Sequence, residues 1–182
     1  MKLVFLDRDG VINRFPGKGQ YVTRDEDFFF LPRAVDAVRA LTQAGCEIHV
    51  VSNQGCVSRG LVTLEALEAM TSRMLREIEA AGGRIRKVHY CVHQKSDNCD
   101  CKKPKLKLFK EAIAGRILDL KNVYYVGDSP EDLEAGRDLG CRMVLALSGR
   151  TTREDVPALL VQPEAVKDDL WEAAQWIREK KS

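Results

Sequence analysis

Short runs of uninterrupted apolar residues, each separated from the next by a helical pattern, constrain this chain most. LVFL at 3–6 runs into Asp7, IHVV at 48–51 into Ser52-Asn53, and VYYV at 123–126 into Gly127-Asp128; VHYCV spans 88–92 and MVLAL spans 143–147. Runs that are apolar throughout, with no alternation, belong to strands covered on both faces. The segments between them read as helices. Pro32 opens one with Ala34, Val35, Val38 and Leu41 on one face, and Gly45 closes it. Thr63 caps a longer one that carries Leu64, Leu67, Met70, Met74, Leu75 and Ile78 as far as Gly82-Gly83. Another begins near Lys105 with Leu108, Phe109 and Ile113, and a fourth runs from Pro130 to Gly140. Residues 164–180 read as a last amphipathic helix with Leu170, Trp171, Ala174 and Ile177. Strands alternating with helices predict an α/β fold, a doubly wound, Rossmann-like parallel sheet with helices on both faces. Residues 10–31 contain Gly10, Pro16, Gly17, Gly19 and then FFFL, and read as an ordered excursion, a small flap after the first strand. The 182 residues are expected to form a single domain, 1–182, with no room for a large cap domain.

Composition narrows the partners. A formal charge of +2 does not call for nucleic acid, and no apolar run approaches the roughly 20 residues that cross a bilayer. The opening MKLVFLDRDG meets acids after four apolar residues, unlike a secretory signal. The expected setting is the cytoplasm, where thiols stay reduced, so six cysteines point to metal before disulfides.

In a doubly wound sheet, ligands sit outside the carboxyl ends of the strands. Asp7-Arg8-Asp9, Ser52-Asn53-Gln54, the stretch from Cys91 and Asp128 all follow strands and are expected to converge there. Asp7 and Asp9 can share a divalent cation, with Asp128 as third ligand; Mg2+ favours oxygen ligands of this kind. A carboxylate can also act as a nucleophile toward phosphorus, with the cation and a positive side chain offsetting charge on the transferring group. A lone D-x-D-G is ordinarily a turn. Its combination with Ser52, Lys103 and Asp128, in that order, is far more specific.

FLDRDGVIN, VVSNQG, KKPK and YVGDSPEDLEAG resemble the four signature motifs of the haloacid-dehalogenase-type phosphatases, across residues 3 to about 148. The resemblance implies roles. Asp7 would be the nucleophile. Asp9 would be the general acid for the leaving alcohol and then the base for water. Ser52 and Lys103 would bind the phosphoryl group. Mg2+ would rest on Asp7, the backbone carbonyl of Asp9, and Asp128. Asp132 would orient Lys103 or serve as a helix-first-turn acid. The second aspartate favours a phosphatase over a dehalogenase, since an ester needs acid–base help.

Cys91, His93, Cys99 and Cys101 form C-x-H-x5-C-x-C, the ligand set of a closed structural Zn2+ site. Four protein ligands leave no position for water, so this zinc would fix a loop and do no chemistry. Cys46, Cys56 and Cys141 show no second-site spacing and read as core or incidental. The loop is similar to that of the phosphatases of D-glycero-D-manno-heptose 1,7-bisphosphate and of the neighbouring histidinol-phosphatase branch. NQGCVSRG, with Arg59, and GQYV in the flap lean to the heptose branch; KPKLKL leans to the other. Lys102 stands where both branches usually place Arg, and Lys lacks the bidentate fork of Arg. Heptose 1,7-bisphosphate, losing its 7-phosphate, is the favoured substrate and histidinol phosphate the alternative. Expected substrate contacts are Asn53, Gln54 and Arg59 after the second strand, Lys102, and Lys18 and Tyr21 in the flap. His49 and His89 read as packed core histidines. A reading from another class is a non-catalytic, zinc-stabilised binding protein, which has no need for both Asp9 and Lys103. The expected partner is a small phosphorylated metabolite, and a monomer is the default state.

Overall fold

The computed structural model describes residues 1–180. Six strands form one parallel sheet: β1 (Leu3–Leu6), β2 (Glu47–Asn53), β3 (Lys87–Cys91), β4 (Val123–Gly127), β5 (Arg142–Ala146) and β6 (Ala165–Lys167). Their spatial order is β3-β2-β1-β4-β5-β6, and every pairing is parallel. The order reverses between β1 and β4. This switch point opens a crevice beyond the carboxyl ends of the strands, where such folds bind ligands. Five helices cover the sheet: α1 (Ala34–Gln43), α2 (Leu64–Ala80), α3 (Lys107–Ala112), α4 (Pro130–Leu139) and α5 (Leu170–Glu179).

The two-residue period of a strand sorts the core into two layers. Val4, Leu6, Ile48, Val50, Tyr124 and Val126 face the layer built with α1, α2 and α5. Leu3, Phe5, Val51, Val123 and Tyr125 face the layer built with α3 and α4. In that second layer Phe109 stands edge-on to both Phe5 and Tyr125, with ring centroids 5.1 Å apart in each pair. Each such pair is worth about 0.5–1.5 kcal/mol beyond its burial. It also fixes Tyr125, whose hydroxyl meets Lys103 and Asp132.

Local signals explain most boundaries. Thr63 accepts from Ala66 N at the start of α2, as its position predicts. Ser129, Pro130 and Asp132 open α4 as a capping box with proline in the first turn. Two expectations need correction. The last helix starts at Leu170, not 164: Asp169 caps it by accepting from Glu172 N, while Ala165–Lys167 pair with β5 as a sixth strand. Helix α1 starts after Pro32, at Ala34, because Arg33 takes a left-handed φ of 59° that no helix continues through. The excursion after β1 is a looped flap with a 3-10 turn at Asp25–Asp27. One antiparallel bridge, Asn13 to Phe30, closes it.

Candidate active site

Asp7 is the first residue beyond β1. Its N–H donates to Val126 O (2.9 Å), so it stays level with the end of β4. Lys103 enters from the loop between β3 and α3. Its Nζ lies 2.9 Å from Asp7 Oδ1 and 2.7 Å from Asp132 Oδ1, and it donates to Val51 O (3.0 Å) and Tyr125 OH (3.0 Å). The Asp7 contact is an ion pair that leaves Oδ1 without a directional hydrogen bond. Tyr125 OH donates to Asp132 Oδ1 (2.5 Å). The other oxygen of Asp132 accepts from the N–H groups of Asp128 and Ser129 and from Ser129 Oγ. Asp132 therefore caps α4 and steers Lys103 together, the two roles its sequence position left open. Asn53 holds the other end of Lys103: its Oδ1 accepts from Lys103 N (2.9 Å) and its Nδ2 donates to Lys103 O (3.3 Å).

Asp9 is held differently. Its Oδ1 accepts from Arg8 Nε (3.1 Å), Arg8 Nη2 (2.8 Å) and Asn13 Nδ2 (2.8 Å). Its Oδ2 accepts from Arg8 Nη2 (3.0 Å) and Gln54 Nε2 (2.7 Å). Arg8 is itself buried, with its guanidinium carbon 5.8 Å from the Phe28 ring centroid and 5.7 Å from that of Tyr90.

The electrostatics ask for a cation. Burial pushes the Asp7 carboxyl up to about 6; Lys103 opposes that, and Asp132 and Asp9 add to it. Burial and the nearby Asp7 and Asp132 carboxylates push Asp128 well above the usual range. Asp132 goes the other way: burial works against its charge, but Lys103 and its hydrogen bonds prevail. Burial likewise opposes the charge of Lys103, but Asp132 and Asp7 hold it protonated. Ligand oxygens of Asp7, Asp128 and Asp132 lie within 4.8 Å of one another, with Lys103 the one cation paired to them among the described residues. The lone-pair capacity of Asp132 is already taken, so Asp7 and Asp128 are the carboxylates that fit Mg2+. The chain makes room for them. A Cβ on Gly149 would fall 1.9 Å from Asp128 Oδ2, and one on Gly10, at φ +90°, would fall 2.2 Å from it.

The cysteine cluster fits zinc by a separate measure. Sγ–Sγ distances are 3.6 Å for Cys91–Cys99, 3.1 Å for Cys91–Cys101 and 3.6 Å for Cys99–Cys101. His93 Nδ1 lies 3.8 Å from Cys91 Sγ and 3.2 Å from Cys101 Sγ. A tetrahedron with 2.3 Å metal–sulfur bonds has edges of about 3.8 Å, so these four atoms stand close to a finished coordination shell.

A cavity of about 300 Å³ is lined by Asp7, Asp9, Ser52, Asn53, Lys102, Lys103 and Asp128 on the sheet side, and by Lys18 and Tyr21 among residues 15–21 of the flap. Two expected substrate contacts lie elsewhere. Gln54 is fully buried and turns to Asp9. Arg59 sits outside the lining, its guanidinium carbon 5.6 Å from the Tyr21 ring centroid. His49 and His89 are core residues, as expected, bonded to each other at 3.1 Å. Asn13, Tyr125 and Arg150 also build the site without being singled out in the sequence, and Arg8 stands out only as part of Asp7-Arg8-Asp9. Arg8 had a signal in its place between two strand-end acids. Tyr125 had none, because VYYV reads as core. Arg150 N donates to Asp128 Oδ2 (2.7 Å), a main-chain contact that no residue type announces.

An open parallel sheet with acids and a buried lysine at its switch point is the frame of a haloacid-dehalogenase-like hydrolase. Residues 100–173 match the HAD-hydrolase-like family model. The D-glycero-beta-D-manno-heptose-1,7-bisphosphate 7-phosphatase of Pseudomonas aeruginosa is 36% identical over 151 residues, 83% of this chain and 84% of that protein. The same enzyme of Pseudomonas putida is 38% identical over 160 residues, 86% of this chain and 90% of that protein. The crystal structure of D,D-heptose 1,7-bisphosphate phosphatase from Bordetella bronchiseptica, complexed with magnesium and phosphate, superposes with a TM-score of 0.87. It is 32% identical and covers 97% of this chain and 98% of its own. The chain belongs to the haloacid-dehalogenase-like hydrolase family, alongside these heptose bisphosphate phosphatases.

Proposed function

We propose that this chain is a Mg2+-dependent phosphomonoesterase that removes the 7-phosphate of D-glycero-D-manno-heptose 1,7-bisphosphate by way of a phosphorylated Asp7. The observation that carries the reading is the placement of Lys103 Nζ, 2.9 Å from Asp7 Oδ1, on the wall of a cavity that Asp9, Ser52 and Asp128 share. A carboxylate repels a phosphate; a fixed ammonium beside it and a dication offset that repulsion and the charge that builds up in transfer. Asp7, the backbone carbonyl of Asp9, and Asp128 would hold Mg2+, which supplies positive charge to the phosphoryl oxygens when bound. Ser52 Oγ and Lys103 Nζ orient the phosphoryl group. A carboxylate oxygen of Asp7 attacks phosphorus and the bond to the sugar oxygen breaks. Asp9 gives its proton to that oxygen as the alcohol leaves. Water then attacks the phosphoryl on Asp7, Asp9 takes the water proton, and inorganic phosphate departs with the Asp7 carboxylate restored.

Cys91, His93, Cys99 and Cys101 would hold a structural Zn2+, which fixes the loop that delivers Lys102 and Lys103. The second phosphate would meet Lys102 and Lys18 on the cavity wall. Lys102, a point charge without the bidentate fork of Arg, favours a monophosphate such as histidinol phosphate, as does the run KPKLKL. The cytoplasm is the setting this reading implies, since none of the six cysteines is in a disulfide; no helix among the described residues is long and apolar enough to cross a membrane. A monomer is the working state.

The deciding experiment compares kcat/KM for the heptose bisphosphate and histidinol phosphate with saturating Mg2+. The reading expects at least about a tenfold preference for the bisphosphate, about 1.4 kcal/mol, and no turnover of either by Asp7→Asn. A preference for histidinol phosphate would move the substrate, and turnover by Asp7→Asn would overturn the mechanism.

A further inference from the structure

We infer that Gln54 is a positioning residue for Asp9 and makes no contact with substrate, an inference that rests on the phosphatase reading above. Gln54 follows β2, and its side chain is fully buried. Its amide nitrogen donates to Asp9 Oδ2 (2.7 Å) and lies 3.2 Å from Ser52 Oγ. One amide therefore joins the group that protonates the leaving oxygen to the hydroxyl that orients the phosphoryl group. Its amide oxygen accepts from Cys56 Sγ (3.6 Å), and its backbone N–H donates to Cys91 O (2.7 Å), so the residue is anchored at both ends.

The remaining donors to Asp9 are Arg8 and Asn13, both from the loop that carries Asp9. They move with it. Among the described residues, Gln54 alone ties the Asp9 carboxyl to the neighbouring strand. An acid that must reach a leaving oxygen while Ser52 and Lys103 hold the phosphorus needs a fixed offset from that pair, since misplacement by an ångström is costly. The Gln54 amide supplies the offset. Asn13 is its counterpart on the other oxygen, with Nδ2 2.8 Å from Asp9 Oδ1.

A general acid matters in proportion to the basicity of the oxygen that leaves. A sugar alkoxide needs the proton; p-nitrophenolate departs without it. The test measures kcat/KM, which reads only steps through cleavage of the phosphorus–oxygen bond, for a sugar phosphate and for p-nitrophenyl phosphate. The expected result for Gln54→Met is a loss of about 30-fold on the sugar phosphate and under about threefold on p-nitrophenyl phosphate, a fraction of the 10²–10⁴ that a general acid supplies. Inhibition by inorganic phosphate is expected to stay unchanged, since Ser52 and Lys103 remain. Gln54→Leu, which also removes the amide, is expected to show the same asymmetry and carries the test should Gln54→Met not fold. Equal losses on both esters, weakened phosphate inhibition, or no loss on the sugar phosphate would overturn the inference while leaving the phosphatase reading intact. A wild-type protein inert on both esters would overturn that reading and this inference with it.

Discussion

At Asp7 the metal-free protein carries an electrostatic load. Its carboxyl titrates at about 6 in the fold, against 3.8 for the free group, chiefly because it is buried. A raised carboxyl pKa means that the folded state binds the proton more tightly than the unfolded state. The corresponding stability is fully present below pH 3.8 and is lost as pH rises through about 6. A metal at Asp7 takes the place of that proton. The rise in Tm on adding saturating Mg2+ is therefore expected to be larger at pH 7.5 than at pH 5.5, and thermal melts at the two values check it; equal rises would mean that Asp7 does not bind the metal. Tyr125 is the other residue whose worth is local. Its hydroxyl accepts from Lys103 and donates to Asp132, with no water-facing alternative. Hydrogen bonds to charged groups contribute about 1.5–3 kcal/mol. Tyr125→Phe is expected to cost about that much in urea denaturation while keeping the ring packing against Phe109.

Elements position the site through close backbone approach and through the Cys/His loop. The turn after β1 and the segment after β5 meet at Asp128, where Ser148 Oγ donates to Gly10 O (2.7 Å). A methyl on Gly149 would overlap Asp128 Oδ2, so Gly149→Ala is expected to displace that carboxylate and raise the Mg2+ concentration for half-maximal activity by at least about tenfold, about 1.4 kcal/mol of metal binding. Activity titrated against Mg2+ reads this directly. The Cys/His loop acts on Lys103 through sequence adjacency, and Asn53 at the end of β2 clamps the Lys103 backbone from the other side. A chelator that strips zinc is expected to lower Tm and raise KM, with metal analysis before and after as the control. Much of this was legible in the sequence. β1 and β4 announce themselves because a strand buried on both faces has no polar positions. Asp7 and Asp128 directly follow strands and Ser52 lies at the end of β2, whereas Lys103 sits in the loop before α3 and is legible only through KKPK. What was illegible has physical reasons. β6 is three half-buried residues paired on one side, too short for a period to show, and it merged with the amphipathic pattern of α5. Gln54 had the right type and place for a substrate contact, but the direction of a side chain past the last paired residue depends on tertiary neighbours. Those neighbours turned it inward.

Across the whole molecule, stability and activity draw on opposite parts of the fold. Helices α1, α2 and α5 supply no residue to the cavity lining among the described residues. Ile177 is buried in their layer beneath Lys2, whose Nζ donates to the carbonyls of Ile177 (2.7 Å) and Lys180 (2.5 Å) and joins the two ends of the chain. The crevice gathers buried carboxylates that the fold alone does not favour, and function keeps them there. Asp128 shows this most clearly. Burial and the neighbouring carboxylates push it well above the normal range, and its hydrogen bond from Arg150 N is one that an amide oxygen accepts equally well. Asp128→Asn thus removes a strained charge and leaves its packing and its acceptor in place. In metal-free protein at pH 7.5, Asp128→Asn is expected to melt at least about 3 °C above wild type, the shift that roughly 1 kcal/mol produces in a domain of this size. The difference is expected to narrow as pH falls, because the wild-type carboxyl then takes up the proton that relieves it. With saturating Mg2+ the order is expected to reverse, since only the wild type gains the metal, and Asp128→Asn is expected to lose Mg2+-dependent turnover. Melts of both proteins with and without Mg2+, at pH 5.5 and 7.5, test all of this together. An Asp128→Asn protein that melts below metal-free wild type at pH 7.5 would show that Asp128 supports the fold on its own account.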